Sequence, residues 1–145
     1  MAYWLLKTEP EDYSYFDLEG DGSTVWDGVN NSLALKHLRA MLPSDLALIY
    51  HTGKERQIIG VAEVISEPYA DPKFNDAKLV VVDVRALRKV SVPITLAQIK
   101  QDSKFADFDL VRLPRLSVVP VSQLHWQRLL ELTDTPPINL KKISQ

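Results

Sequence analysis

Apolar residues come in short blocks along this chain, and the spacing within each block predicts its element. Tyr3 to Lys7 is an apolar run too short for a helix and reads as a buried strand, which Thr8-Glu9-Pro10 ends because proline cannot donate to a ladder. Ser14 caps a short helical turn through Leu18, broken by Gly20 and Gly22, and Thr24 to Trp26 is a second strand. After Asn31 and Ser32, both good N-caps, Ala34, Leu35, Leu38, Met41 and Leu42 recur at helical spacing. Lys36, His37 and Arg39 face solvent, and the helix stops before Pro43. Leu46 to Tyr50 is a strand, followed by a hairpin loop at Thr52-Gly53-Lys54-Glu55. Ile58 to Ile65 is apolar on both faces, so it is a central strand, with Gly60 marking a bulge or a close approach.

Tyr69 to Asp76 reads as a loop and Leu79 to Val90 as a long strand, with Val80, Val82, Val84 and Ala86 on one face. Thr95 and Gln98 form a capping box for a short helix to about Gln101, and Asp102 to Asp109 is a polar loop that contains aromatics. Ser117 to Val121 is the last strand. Ser122 caps a final helix that buries Trp126, Leu129 and Leu130, and Pro136-Pro137 ends it, leaving a frayed tail over Leu140 to Gln145. The pattern predicts one domain over 1–134 and a tail over 135–145. Five or six strands and three or four short helices without βαβ alternation predict an α+β domain around a curved or barrel-like sheet.

Composition narrows the chemistry. The 145 residues carry 17 Lys plus Arg against 19 Asp plus Glu, a net charge of −2, which argues against holding nucleic acid by bulk charge. There is no cysteine, so disulfides, thiolate metal sites and Cys nucleophiles are excluded, and a cytoplasmic protein is expected. No apolar run approaches a membrane span, and the opening residues lack a signal-like pattern. The three histidines, His37, His51 and His125, have no metal-ligand spacing, so neither metal nor cofactor is expected. G-x-S-x-G and phosphate-cradling glycine loops are missing from the 145 residues. His51 ends a strand ahead of a glycine loop and is either a site residue or a partly buried, hydrogen-bonded one. Trp26, before the Asp27-Gly28-Val29-Asn30-Asn31 turn, is either a pocket wall on which a base stacks or part of the core.

Tyr3-Trp4-Leu5-Leu6-Lys7-Thr8-Glu9-Pro10, with Tyr13-Ser14 and Asp17-Leu18, resembles the opening of the EVE domain family. Trp26-Asp27-Gly28-Val29, Asn31, Ala34, Leu38-Arg39, Tyr50-His51 and Gly60 to Val64 continue the match. So do Tyr69 with Asp71-Pro72, Val82-Asp83-Val84, Leu110-Val111-Arg112 and Arg115 to Val118, so that the resemblance spans roughly residues 2 to 132. It implies a PUA-like fold, kinship to YTH and ASCH domains, and a non-catalytic pocket for a modified base, such as a modified cytosine, in DNA or RNA. Carried over, Lys7, Thr8, Asn30, Asn31, Tyr50, His51 and Ser117 would join Trp26 in the pocket, while Lys36, Arg112 and Arg115 would form a phosphate rim.

The chain departs from the family at Asn30, where Arg is usual, at Ser32, where Tyr is usual, and at Leu35-Lys36, where a second Arg-Asn pair is usual. These changes point to altered ligand preference or phosphate affinity. Some ASCH relatives look like amidohydrolases that use Lys, Thr and Glu, which makes Lys7, Thr8 and Glu63 the elements of an alternative hydrolase reading. A scaffold with a vestigial pocket is the other alternative.

Overall fold

In the computed structural model, which describes residues 1–138, the strands are β1 (Tyr3–Thr8), β2 (Ser23–Trp26), β3 (Leu46–His51), β4 (Gln57–Val64), β5 (Tyr69–Ala70), β6 (Val80–Thr95) and β7 (Val118–Val121). The helices are α1 (Tyr15–Asp21), α2 (Ser32–Arg39), α3 (Leu96–Gln101), α4 (Asp109–Arg112) and α5 (Gln123–Leu132). The seven strands form a mixed, unclosed sheet in the order β2-β6-β4-β3-β1-β7, with β5 added to β6. β1 and β3 run parallel, and the other pairings are antiparallel. This is the expected α+β arrangement around a bent sheet.

The bend has a local cause. Ile58 pairs with Ile94 and Gly60 pairs with Lys89, so Ile59 alone faces the four residues between Lys89 and Ile94 on β6. A bulge of this kind bends the strand and increases its twist. It also explains how Pro93 lies inside a strand: it sits where the ladder is already interrupted, and Val92 N–H donates to Thr133 O instead. Gly60 serves both purposes expected of it. The register shifts beside it, and a Cβ there would lie 2.4 Å from the Tyr15 ring.

The helix starts follow the sequence pattern. Ser14 and Asp17 form a capping box, Asn31 accepts from Leu33 N–H and Ala34 N–H, Thr95 and Gln98 form a second box, and Ser122 caps α5. Trp126, Leu129 and Leu130 are buried on α5. Inside the sheet, the buried Asp45 carboxylate accepts from Ala2 N–H, Trp4 Nε1–H and Leu42 N–H, each at 3.0 Å. That arrangement satisfies a charge which burial would otherwise make costly.

Several local expectations are corrected. Leu42 is exposed, because α2 ends at Arg39 and the helical stripe stops with it. His37 is not solvated. It is half-buried against the Trp4 ring at 5.9 Å, and burial lowers its imidazole pKa. The Asp102–Asp109 stretch is no plain loop: Ser103–Phe105 forms a 3-10 turn, α4 follows, and Phe105 and Phe108 are core residues. Within the Tyr69–Asp76 stretch, β5 pairs with the start of β6. The frayed tail expected over Leu140 to Gln145 lies outside the described residues.

Candidate functional site

Flat, a sheet in this order would hold β2 and β1 about 19 Å apart, at four strand spacings. Instead, residues of both strands line one cleft of about 300 Å³: Lys7, Thr8 and Tyr13, then Thr24, Val25 and Trp26 of β2, the following Asp27, Gly28 and Val29, and Ser117 before β7. The curl has brought the two sheet edges together, and α2 packs against β6 and β7, one strand from each side. A volume near 300 Å³ is at the small end of ligand sites and suits a single heterocycle. Other hollows, of about 370 Å³ beside Trp126 and about 670 Å³ beside His125, contain none of the expected site residues.

Lys7 is the chemically distinctive group. Its Nζ donates to Pro114 O at 2.8 Å and lies 5.8 Å from the centre of the Tyr50 ring. It forms no ion pair among the described residues. Burial lowers its pKa, as expected for a cation without a neutralising partner. Next to it, the Thr8 hydroxyl donates to Tyr13 O at 2.6 Å, which leaves its oxygen as an acceptor. Ser117 is tied to β1 through its carbonyl, which accepts from Lys7 N–H at 3.0 Å. The Tyr13 hydroxyl donates to Asp21 at 2.8 Å, and burial raises its pKa. Trp26 lines the cleft while remaining 7% exposed, so it belongs to the wall and to the core together.

Of the residues expected in the pocket, Lys7, Thr8, Trp26 and Ser117 therefore meet at the cleft. The others are placed differently. Asn31 uses its side-chain oxygen as the N-cap of α2. Asn30 is exposed beside it and does not line the cleft. Tyr50 lies buried behind Lys7, where burial raises its phenol pKa. His51 is 1% exposed: Nε2 accepts from Tyr15 N–H at 2.9 Å, and Nδ1 faces Glu55 Oε1 at 3.0 Å, so both ring nitrogens are occupied structurally. Accepting that hydrogen bond also lowers the Glu55 carboxyl pKa.

The expected phosphate rim is likewise dispersed. Lys36 is exposed on α2, and Arg112 pairs with Asp109 at 3.1 Å at the end of α4. Arg115 is exposed on the segment that carries both Pro114 and Ser117, so it is the rim residue nearest to the cleft in the chain. Tyr13, Thr24, Val25, Asp27, Gly28 and Val29 line the cleft outside the expected set. Thr24 could have been found by period-two alternation with Trp26 on one strand, whereas Tyr13 lies in an irregular segment with no such signal.

The hydrolase constellation is not assembled. Glu63 pairs across the sheet with Leu46, which pairs with Tyr3. Lys7 and Thr8 lie four and five positions further along β1, about 13 Å and 17 Å away at strand rise. The Glu63 carboxylate is instead held by Arg85. Among the described residues, no group of three or more His, Asp or Glu is placed to hold a metal ion, and no helix is long and apolar enough to cross a membrane.

Comparison with known proteins places this geometry. A profile of the EVE domain matches residues 2–132. Thymocyte nuclear protein 1 of Mus musculus is 30% identical, with the match covering 93% of this chain and 75% of that protein. An NMR structure of a Rhodopseudomonas palustris protein superposes with a TM-score of 0.88 at 37% identity, over 92% of this chain and 94% of that one. The crystal structure of human THYN1 protein in complex with 5-methylcytosine-containing DNA superposes with a TM-score of 0.81 at 29% identity, over 94% of this chain and all of that one (100%).

Proposed function

The chain belongs to the EVE domain family, and from that premise we propose that it is a non-catalytic reader of a modified pyrimidine in nucleic acid. The observation that carries the reading is the cleft between the sheet edges, where the unpaired Lys7 ammonium, the Thr8 and Ser117 hydroxyls and the Trp26 ring converge. A base edge offers carbonyl and ring-nitrogen acceptors to the lysine and amino donors to the hydroxyls, while the apolar wall at Val29 and Trp26 accommodates a methyl group. The 5-methylcytosine DNA bound by human THYN1 protein supports the same ligand class. A base must leave its stack to enter such a cleft, so single-stranded ligand binds more readily than duplex.

The test is titration of short oligonucleotides, DNA and RNA, single-stranded and duplex, with and without one 5-methylcytosine. Preferential binding of the methylated strand is expected. Equal or undetectable affinity for all of them would refute the reading and favour a scaffold with a vestigial pocket.

A further inference from the structure

Asp27 places a carboxylate on the lip of the cleft, where a phosphodiester strand delivering a base has to pass. Unopposed, that charge repels the backbone. It is opposed by a residue far away in sequence: Lys73 Nζ lies 2.7 Å from Asp27 Oδ2. Lys73 is 67% exposed, so one side of its ammonium faces Asp27 and the other faces solvent.

The loop that delivers Lys73 is anchored. Asp71 is buried, accepts from Lys73 N–H at 3.0 Å and donates its own N–H to Leu79 O at 2.8 Å. Phe74 N–H closes the turn onto Asp71 O at 3.1 Å. The turn thus fixes the backbone of Lys73, and the pair with Asp27 holds its ammonium at the cleft lip.

The charges elsewhere make this position matter. The chain is net −2, Arg112 is paired with Asp109, and Arg115 stands at the other sheet edge, on the segment before β7, whereas Lys73 stands beside the β2 edge through Asp27. We propose that Lys73 is the phosphate contact of this site: its ammonium moves from Asp27 to a backbone phosphate flanking the bound base, so that Asp27 opposes binding and Lys73 favours it. The proposal rests on the base-pocket reading and adds to it a backbone contact outside the sequence-predicted rim.

The test measures binding of single-stranded DNA and RNA oligonucleotides containing one 5-methylcytosine, and of their unmodified counterparts, from low to high salt. Lys73→Ala should weaken all of them alike, by about fivefold at 0.1 M salt, and reduce the slope of log K against log salt by about 0.7, the value for one single-strand phosphate contact. The preference for the methylated strand should not change. Asp27→Asn should tighten binding, because it frees the cation and removes the repelling charge.

If Lys73 and Asp27 merely latch the loop, both variants weaken binding and the slope stays as it was, which overturns the proposal. Wild-type protein that binds none of the oligonucleotides overturns the base-pocket reading together with this one, whereas wild-type binding with an unchanged Lys73→Ala slope overturns this one alone. Both residues are solvent-accessible, and melting temperatures equal to wild type verify that the variants fold.

Discussion

Replacing Lys7 by Met separates binding from stability, because affinity should fall while stability stays nearly unchanged. The substitution keeps an unbranched apolar stem and removes an ammonium that burial already disfavours. For folding, the loss of the donor to Pro114 O is offset by no longer desolvating a cation, so stability should change by no more than about 1 kcal/mol. For binding, the ammonium is, among the described residues, the charged donor of the cleft that no carboxylate pairs with. A hydrogen bond involving a charged group contributes about 1.5–3 kcal/mol, so affinity should fall roughly tenfold to a hundredfold. Fluorescence anisotropy with a methylated oligonucleotide reads the second quantity, and urea unfolding reads the first.

The pH dependence supplies a further check on Lys7. Its folded-state pKa lies below the ordinary 10.5, so above neutral pH the native chain releases this proton before the unfolded chain does. Its contribution to stability therefore rises with pH across the interval between the lowered value and 10.5, while ligand affinity falls over the same interval. Both trends should disappear in Lys7→Met. Affinity within twofold of wild type, or a stability loss well beyond 1 kcal/mol, would refute the placement of Lys7 as a ligand contact.

Three further substitutions test the scaffold. Gly60→Ala drives a methyl group into the Tyr15 ring and should cost about 1–3 kcal/mol in chemical denaturation, with a smaller cost when Tyr15 is also truncated to Leu. Asp45→Ala leaves Ala2 N–H, Leu42 N–H and the buried Trp4 Nε1–H without their acceptor and should cost about 2–4 kcal/mol; Asp45→Asn should recover part of it. His51→Phe keeps an aromatic ring but strands Tyr15 N–H, so about 1–3 kcal/mol of stability should be lost while oligonucleotide affinity, measured where the variant is folded, stays at the wild-type value.

Strands, caps and the final helix were legible because each depends on a few adjacent residues: the block Tyr3–Lys7, the Ser14 and Thr95 capping boxes, and the Trp126–Leu129–Leu130 stripe. The core role of Phe105 and Phe108 was not, because two aromatics in a polar stretch have no period and their burial depends on His125 arriving from α5 to pack against both rings. Of the expected pocket residues, four line the candidate cleft. Lys7, Thr8, Trp26 and Ser117 meet because they lie at the ends of strands that the curl brings together. Asn31 and His51 fit a base edge equally well as residue types. What keeps them from lining the cleft is partners, the α2 amides in one case and Tyr15 N–H in the other, which the sequence pattern does not show.

The departures from the family's usual pattern take on a definite meaning in this geometry. Asn30, Ser32, Leu35 and Lys36 all sit in or just before α2, whose N-terminus is held by Asn31 and whose residues do not line the cleft. Losing an arginine at position 30 therefore removes charge beside the cleft rather than from within it. The cleft itself keeps its cation in Lys7, and the lip has one in Lys73, contributed by a different part of the chain. A net charge of −2 is compatible with the proposed arrangement, in which Lys7 reads the base and Lys73, rather than a basic groove, meets the backbone charge. Such a site depends weakly on salt and strongly on which base enters it, whereas a basic groove shows the reverse. The salt slope of the wild-type protein alone thus separates the two: about one to two phosphate contacts fit the cleft, and a slope corresponding to six or more would fit a basic groove instead.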